Sequence, residues 1–349
     1  FDENLAIRKR LFFTATPRHY NINRKNKEGD TKLVFSMDNK AVYGPVVHKL
    51  SFAEAAKRDI ICNYKVIVSV VDGQMVNNDL INRGETLVKD DLVRSRQVAV
   101  QLALQQAVEE FGVGRIITFH STVKAAAGFV AEGAEGVQNH LTDFSTFHVN
   151  GKQRSADRDD YLRGFAKADK GLITNARCLT EGVDVPAVDM VAFVAPRRSK
   201  VDIVQATGRA MRKAGPDKHY GYVMLPLFLE REEGETLEDA LERSQFKEIA
   251  DVLNAMQEQD DELADIIRQL QVDKGRVGSV NDSRLADRLV TLGPQVGLTE
   301  LRRAISARLI EKLGVSWNEH FGQLIAYKEQ YGDCKIPLFW PENPKLGKW

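Results

Sequence analysis

The sequence predicts an α/β protein, a parallel sheet wrapped by helices, with an α-helical extension behind it. Three observations predict this. Strand-sized apolar runs alternate with amphipathic helical segments from about Asn63 to Leu227, the rhythm of parallel strands joined by crossover helices. From Glu230 to Gln271 the chain is dense in Glu, Asp, Leu and Ile at helical spacing, with hardly any Gly or Pro. Finally, 349 residues of which 43% are hydrophobic supply core material for roughly two or three domains.

Taken in order, "RLFFTATP" (10–17) reads as a strand running into a turn, and His19 to Asp30 as a polar loop. "KLVFSM" and "NYKVIVSVV" read as strands separated by a short helix, "SFAEAAKRD". Asp72-Gly73 has the form of a hairpin turn. A long amphipathic helix is expected from Leu92 to Phe111, then strand "RIITF" and a helix from Ser121. There follow a strand around Phe147, helix "RDDYLRGFAKA", strands "GLITNA" and "VDMVAFVA", helix "VDIVQATGRAMRK" and strand "YGYVMLPL". One or two long helices with a solvated acidic face should span Glu230 to Gln271, and "LTELRRAISARLIEKLG" follows the break at Gly293-Pro294. The aromatic-rich end contains Trp317, Phe321, Leu324 and Tyr327 at helical spacing, the pattern of a core stripe.

The bulk properties narrow the function. Lys+Arg and Asp+Glu both number 49, so overall charge announces no nucleic-acid partner, and such binding would need local basic placement. Cys62, Cys178 and Cys334 are far apart with no C-x-x-C pair, which disfavours a disulfide framework or structural zinc and fits a reducing cytoplasm. The apolar runs are too short to span a bilayer, and the first residues lack a signal peptide's apolar stretch. The opening residue is not Met and the pattern starts mid-course, as expected for part of a longer chain.

The chemistry concentrates in "DIVQATGRAMRKAG" (202–215). On a helix, Gln205, Arg209 and Arg212 at i, i+4 and i+7 share one stripe. Gly208 beside it removes bulk where another backbone or a ligand could approach. Two guanidiniums and an amide on one face suit phosphate oxygens. Two further segments precede it: "FFTATPR" (12–18), with Thr14 and Thr16, and "LITNARCLTEGVDVPAVD" (172–189), with Thr174, Arg177, Gly182 and Asp184. Ser121 and Thr122 open the helix after "RIITF", where free N–H groups favour a phosphate and where Ser and Thr also serve as ordinary caps. The basic runs 24–27 and 197–200 read as solvated loops that could also meet phosphates.

In this order the three segments resemble motifs III, V and VI of superfamily 2 DEAD/DEAH-like helicases and translocases, with "RIITFHST" in the place of motif IV. The resemblance spans most of Phe12 to Leu227, and Q-x-x-G-R-x-x-R is its specific part. It implies RecA-like lobes of the P-loop NTPase type that hold ATP and Mg2+ in the cleft between them, with nucleic acid crossing both. It implies that Arg209 and Arg212 act as arginine fingers, that Gln205, Gly182 and Asp184 lie at the nucleotide, and that Thr14 and Thr16 couple the lobes. It further implies that Ser121, Thr122, Thr174 and Arg177 touch nucleic acid, with DNA placed ahead of RNA. The interval from Thr174 to Gly182 is longer than in DEAD-box proteins, which bears on Arg177. Trp317, Leu324, Tyr331-Gly332, Pro337 and "KLGKW" resemble the start of a helicase-associated domain, whose implied role is nucleic-acid engagement.

The expected organisation is the end of a first RecA-like lobe (1–58), a second lobe with motifs IV to VI (59–229), a helical extension (230–315) and the start of a helicase-associated domain (316–349). A hinge is expected near Asp59 to Asn63. No G-x-x-x-x-G-K-[ST] occurs: Gly151-Lys152 runs into Gln153, and Gly347-Lys348 into Trp349. The phosphate loop and magnesium carboxylate are therefore expected in a preceding first lobe, this chain's partner in the site, and the chain alone should not turn over ATP. No metal ligand is expected within it. Within the helicase reading, a restriction-system translocating subunit and an RNA helicase stay open. Outside it stand a non-catalytic nucleic-acid- or partner-binding module and a Rossmann-type cofactor enzyme, the last disfavoured because no G-x-G-x-x-G opens a helix after a strand.

Overall fold

Ten residues, Asn63–Asp72, form strand β3, and all but Asn63, Lys65 and Asp72 are buried. Val66, Val68 and Val70 enter one core and Ile67 and Val71 the other, because successive side chains of a strand point to opposite faces. Such two-sided burial is what a parallel sheet covered by helices demands. The computed structural model describes residues 9–14, 18–25, 31–37, 39–84, 92–133, 135–176, 188–195, 200–215, 217–232, 234–278, 283–294, 297–313 and 316–349.

In front of β3 lie strands β1 (Arg18–Lys25) and β2 (Thr31–Ser36) and helices α1 (Lys40–Tyr43) and α2 (Phe52–Lys57). The crossover after β3 uses α3 (Gly73–Asn82) and α4 (Leu92–Phe111). The alternating body follows: β4 (Arg115–Phe119), α5 (Val123–Phe129), β5 (Ser145–Asn150), α6 (Ser155–Lys167), β6 (Gly171–Ala176), β7 (Met190–Phe193), α7 (Lys200–Ala210) and β8 (Tyr220–Leu229). The extension comprises α8 (Leu237–Arg243), α9 (Phe246–Gln257), α10 (Asp261–Val277), α11 (Ser283–Ala286), β9 (Leu289–Leu292), α12 (Leu298–Leu313), α13 (Ser316–Tyr331) and α14 (Pro344–Lys348). Seven strands form one sheet in the order β5-β6-β4-β7-β8-β3-β9, and every pairing in it is parallel. The predicted α/β class and the helical extension are both present. No helix among the described residues is long and apolar enough to cross a membrane.

Several expectations need correction. Residues 9–14 are irregular and exposed rather than a strand, with Leu11 and Phe13 uncovered; Thr16 and its neighbours 15–17 lie outside the described residues. An apolar run becomes a strand only where a neighbour pairs with it, and among the described residues none pairs with 9–14. The expected polar loop after His19 is instead β1, antiparallel to β2 from Arg18↔Ser36 to Lys25↔Thr31. Asp72 does not turn a hairpin. Its carboxylate accepts from Met75 N at 2.8 Å and caps α3, as a parallel crossover requires. The acidic stretch holds three helices, not one or two, and Asp260 caps the third by accepting from Glu262 N and Leu263 N. β9, four residues without a distinct pattern, adds an edge to the sheet from within the helical extension.

α10 and α13 pack closely through a reciprocal pair of glycines. A Cβ on Gly275 would stand 2.0 Å from Glu319 O, and one on Gly322 would stand 2.0 Å from Val272 O. Around this crossing Asn318 donates to Gln271, Lys274 pairs with Glu311, and Arg276 pairs with Glu329. The expected core stripe of α13 is only half realised. Tyr327 is buried, but Trp317 (52% exposed) and Phe321 (37%) stack on one another at the surface, since the glycine face of α13, not the aromatic one, meets α10. Gly322→Val should cost about 1–3 kcal/mol by overpacking. Urea unfolding of the chain measures this, and an unchanged midpoint would contradict the close crossing.

Candidate nucleotide-facing site on helix α7

α7 forms because its buried residues recur at helical spacing. Ile203, Val204, Ala206, Thr207 and Ala210 turn inward, and the helix packs on β7, β8 and α9. Burying side chains such as Ile203 contributes about 1.5–3 kcal/mol each. That inward face fixes the direction of the other one. There Gln205 is half-buried, and Gly208 stands beside open space, with nothing within 4 Å of where a Cβ would be.

The arginines are not the uniform stripe that the spacing predicts. The helix ends at Ala210 and Arg212 lies just past it, on a turn closed by Met211 N to Thr207 O (3.2 Å) and Arg212 N to Arg209 O (3.3 Å). Helix ends commonly tighten in this way, with i→i+3 bonds. Arg209 is 8% exposed and Arg212 is exposed, and both are engaged with neighbouring groups. Gln205 Oε1 and Thr207 Oγ1 are buried with no hydrogen-bond partner among the described residues. A buried amide without a partner costs free energy, and its O and N ends can serve as acceptor or donor to a ligand. The guanidinium N–H groups of Arg209 and Arg212 are donors of the kind that polyphosphate oxygens accept from, and the orphaned Gln205 Oε1 would take a donor such as a hydroxyl.

The turn itself is fastened from beneath. Lys218 Nζ donates to Ala210 O (2.6 Å), Arg212 O (2.8 Å) and Val188 O (2.6 Å). Burial lowers its pKa, while Cys62 and Asp189 oppose that shift. Cys62 N donates to Met211 O at 2.9 Å, and burial pushes the Cys62 thiol up. Lys213 pairs with Asp59, which is the residue of the expected hinge with φ 60°. Lys218 and Cys62 were not legible as site residues. Both act through backbone carbonyls 8 and 148 residues away, a relation that leaves no local pattern.

The second group of candidates sits at the ends of β4 to β6. Thr122 caps α5 by accepting from Ala125 N at 3.1 Å, so the helix begins at Val123; Ser121 and Thr122 are both exposed. Thr174 is fully buried. His148 Nδ1 lies 2.8 Å from its hydroxyl, which donates to Phe147 O, so this threonine joins β5 to β6 and offers a strand no surface. His120, unremarked in the sequence, is also buried there, 2.9 Å from Thr118 Oγ1. Thr14 is exposed in the irregular stretch 9–14. Arg177, Gly182 and Asp184 lie outside the described residues, as does most of the basic run 197–200. Among the described residues no three His, Cys, Asp or Glu side chains gather to hold a metal ion.

A parallel seven-stranded sheet flanked by helices has the architecture of a RecA-like helicase C-terminal lobe. Residues 99–214 match the family model "Helicase conserved C-terminal domain", and residues 314–349 match "Helicase associated domain". The matched stretches support the reading of the chain as a fragment of a superfamily 2 helicase. It is 27% identical over 222 residues to a "Probable helicase" of African swine fever virus, covering 62% of this chain and 22% of that protein. It is 25% identical over 158 residues to a mitochondrial ATP-dependent RNA helicase of Lodderomyces elongisporus, covering 44% of this chain and 23% of that protein. Among solved structures, an ATP-dependent Type ISP restriction-modification enzyme bound to DNA matches over 93% of this chain with TM-score 0.63 and 25% identity. The chain spans 23% of that enzyme, and about a fifth of the curated relatives it matches.

α9, which backs α7, carries Glu248 with its pKa raised to about 7 by burial and by the charge of Asp251, against the pull of Arg96. The folded state thus holds this proton more tightly than the unfolded one. The stabilisation is complete below the usual value of 4.5 and is lost as pH rises through about 7. Glu248→Gln should therefore flatten the decline in Tm across that window. A wild-type and variant difference independent of pH would contradict the assignment.

Proposed function

We propose that this chain is the second lobe and the following segments of an ATP-driven DNA translocase or helicase. The observation that carries the proposal is the segment Gln205 to Arg212 at the end of α7, which brings together in a few residues an unpartnered Gln205 Oε1, open space beside Gly208 and two arginines. Residues 1–58 are taken as the end of a first lobe whose upstream part supplies the phosphate loop and the magnesium carboxylate. Residues 59–229 are the arginine-bearing lobe, 230–315 its helical extension and 316–349 the start of the helicase-associated domain.

On this reading ATP supplies the phosphoryl group whose transfer to water drives the movement. Arg212 and Arg209 direct guanidinium N–H groups at the phosphate oxygens and balance the negative charge that develops there. Gln205 hydrogen-bonds in the same cleft and reports its occupancy to α7, while Gly182 and Asp184 are assigned to the nucleotide as well. A group of the Arg212 kind contributes about 10³–10⁵ in rate, or roughly 4–7 kcal/mol. Ser121 and Thr122, with Arg177, are assigned to the strand backbone, and Thr14 and Thr16 to communication between lobes. The choice of DNA leans on the restriction enzyme bound to DNA, whose likeness runs through nearly the whole chain. It also favours a restriction-type translocase over an RNA helicase. The wide spacing of Cys62, Cys178 and Cys334 supports a cytoplasmic assignment.

In the whole polypeptide, Arg212→Ala should reduce DNA-stimulated ATP turnover at least about a thousandfold while leaving much of ATP binding intact. Steady-state kinetics with equilibrium nucleotide binding measure both quantities, and near-normal turnover would refute the finger role.

A further inference from the structure

The last carbonyl groups of a helix have no partners within it and must find donors elsewhere. At the end of α7 one side chain supplies them. The Lys218 ammonium has three hydrogens, and its three short contacts, to Ala210 O, Arg212 O and Val188 O, account for all of them. A cation at a helix C-terminus is also favoured by the helix dipole.

The identities of the three acceptors matter more than their number. Ala210 ends the helix and Arg212 bears one of the guanidiniums. Val188 stands at the entry of β7. Lys218 therefore ties the finger-bearing turn to the entry of β7. Cys62 and Lys213 fasten neighbouring parts of the turn, Cys62 at Met211 and Lys213 at Asp59, but the Arg212 carbonyl is held by Lys218. A helix that only needed ending could use a glycine and water. A half-buried ammonium bound to three backbone oxygens from two segments fixes their relative position.

We infer that Lys218 is a positioning residue for the α7 arginines, holding the Arg212 turn and the Val188 strand entry in register so that the guanidiniums are presented from a fixed base. This rests on the finger reading given above, and it adds a residue outside the Q-x-x-G-R-x-x-R pattern. Loss of the clamp displaces guanidiniums rather than removing them. Rate should suffer more than nucleotide affinity, since displacements of about 1 Å can cost on the order of a hundredfold in rate.

The test uses the whole polypeptide with Lys218→Met, Lys218→Arg and Arg212→Ala, each checked for fold by circular dichroism. Lys218→Met should lower kcat for ATP by roughly ten- to a hundredfold with KM little changed. Lys218→Arg, which keeps a cation and several donors, should recover most of that loss. Amide exchange at Met211 to Lys213 should quicken in the Met variant. Normal kcat in Lys218→Met beside an inactive Arg212→Ala would overturn the positioning role and leave the finger reading standing. A loss of kcat that merely follows loss of fold, with no recovery in Lys218→Arg, would overturn it too. Normal turnover in Arg212→Ala would instead remove the reading on which the inference rests. If Lys218→Met does not fold, Lys218→Gln, which keeps an N–H donor, takes its place in the same comparison.

Discussion

The burial of one face of α7 governs everything the other face can do. Ile203, Ala206 and Ala210 hold the helix against β7, β8 and α9, and this contact leaves Gln205 and Gly208 no direction but outward. The same seat explains why the two arginines differ. Arg209, on the last helical turn, is drawn towards the core, whereas Arg212, on the tightened turn beyond it, reaches solvent. Two guanidiniums at different depths can meet different oxygens of one polyphosphate, which a single exposed stripe would do less selectively.

The sheet extends that constraint through the chain. A parallel strand must be covered on both faces, and the helices of the extension provide much of one cover: Phe246, Ile249 and Leu253 of α9 lie in the same core as Val66, Val68 and Val70 of β3. β9 pairs directly with β3 from Val66↔Leu289 to Ser69↔Leu292. The extension is thus built into the α/β lobe. Through the Gly275–Gly322 crossing, α13 is in turn held closely against α10. The segment matching the helicase-associated domain therefore sits on the lobe through backbone-to-backbone contact, and the stacked Trp317 and Phe321 face away from that seam.

Much of this was legible in the sequence because it is periodic. The alternation in "NYKVIVSVV", the long helix from Leu92 to Phe111 and the order of the motif segments all follow from residue spacing. What escaped is non-local or ambiguous. β1 is too polar to read as a strand and exists by pairing with β2. Asp-Gly at 72–73 suits both a hairpin and a helix cap, and only the parallel neighbour β8 decides between them. Trp317 and Phe321 have the spacing of a core stripe, yet the backbone approach at Gly322 turned α13 the other way. Thr174 matches a motif position but is consumed by a bond to His148. Lys218 carries no motif at all, since its partners are carbonyl oxygens that every residue possesses.

The central claim is that the outward face of α7 serves a nucleotide held by a neighbouring lobe. A structure of the whole polypeptide with ADP and a planar phosphate mimic tests this most directly. The account predicts the Arg212 guanidinium within hydrogen-bonding distance of the mimic, Arg209 beside it and the Gln205 amide partnered in the same cleft. A nucleotide seated with both guanidiniums turned away from it would contradict the account.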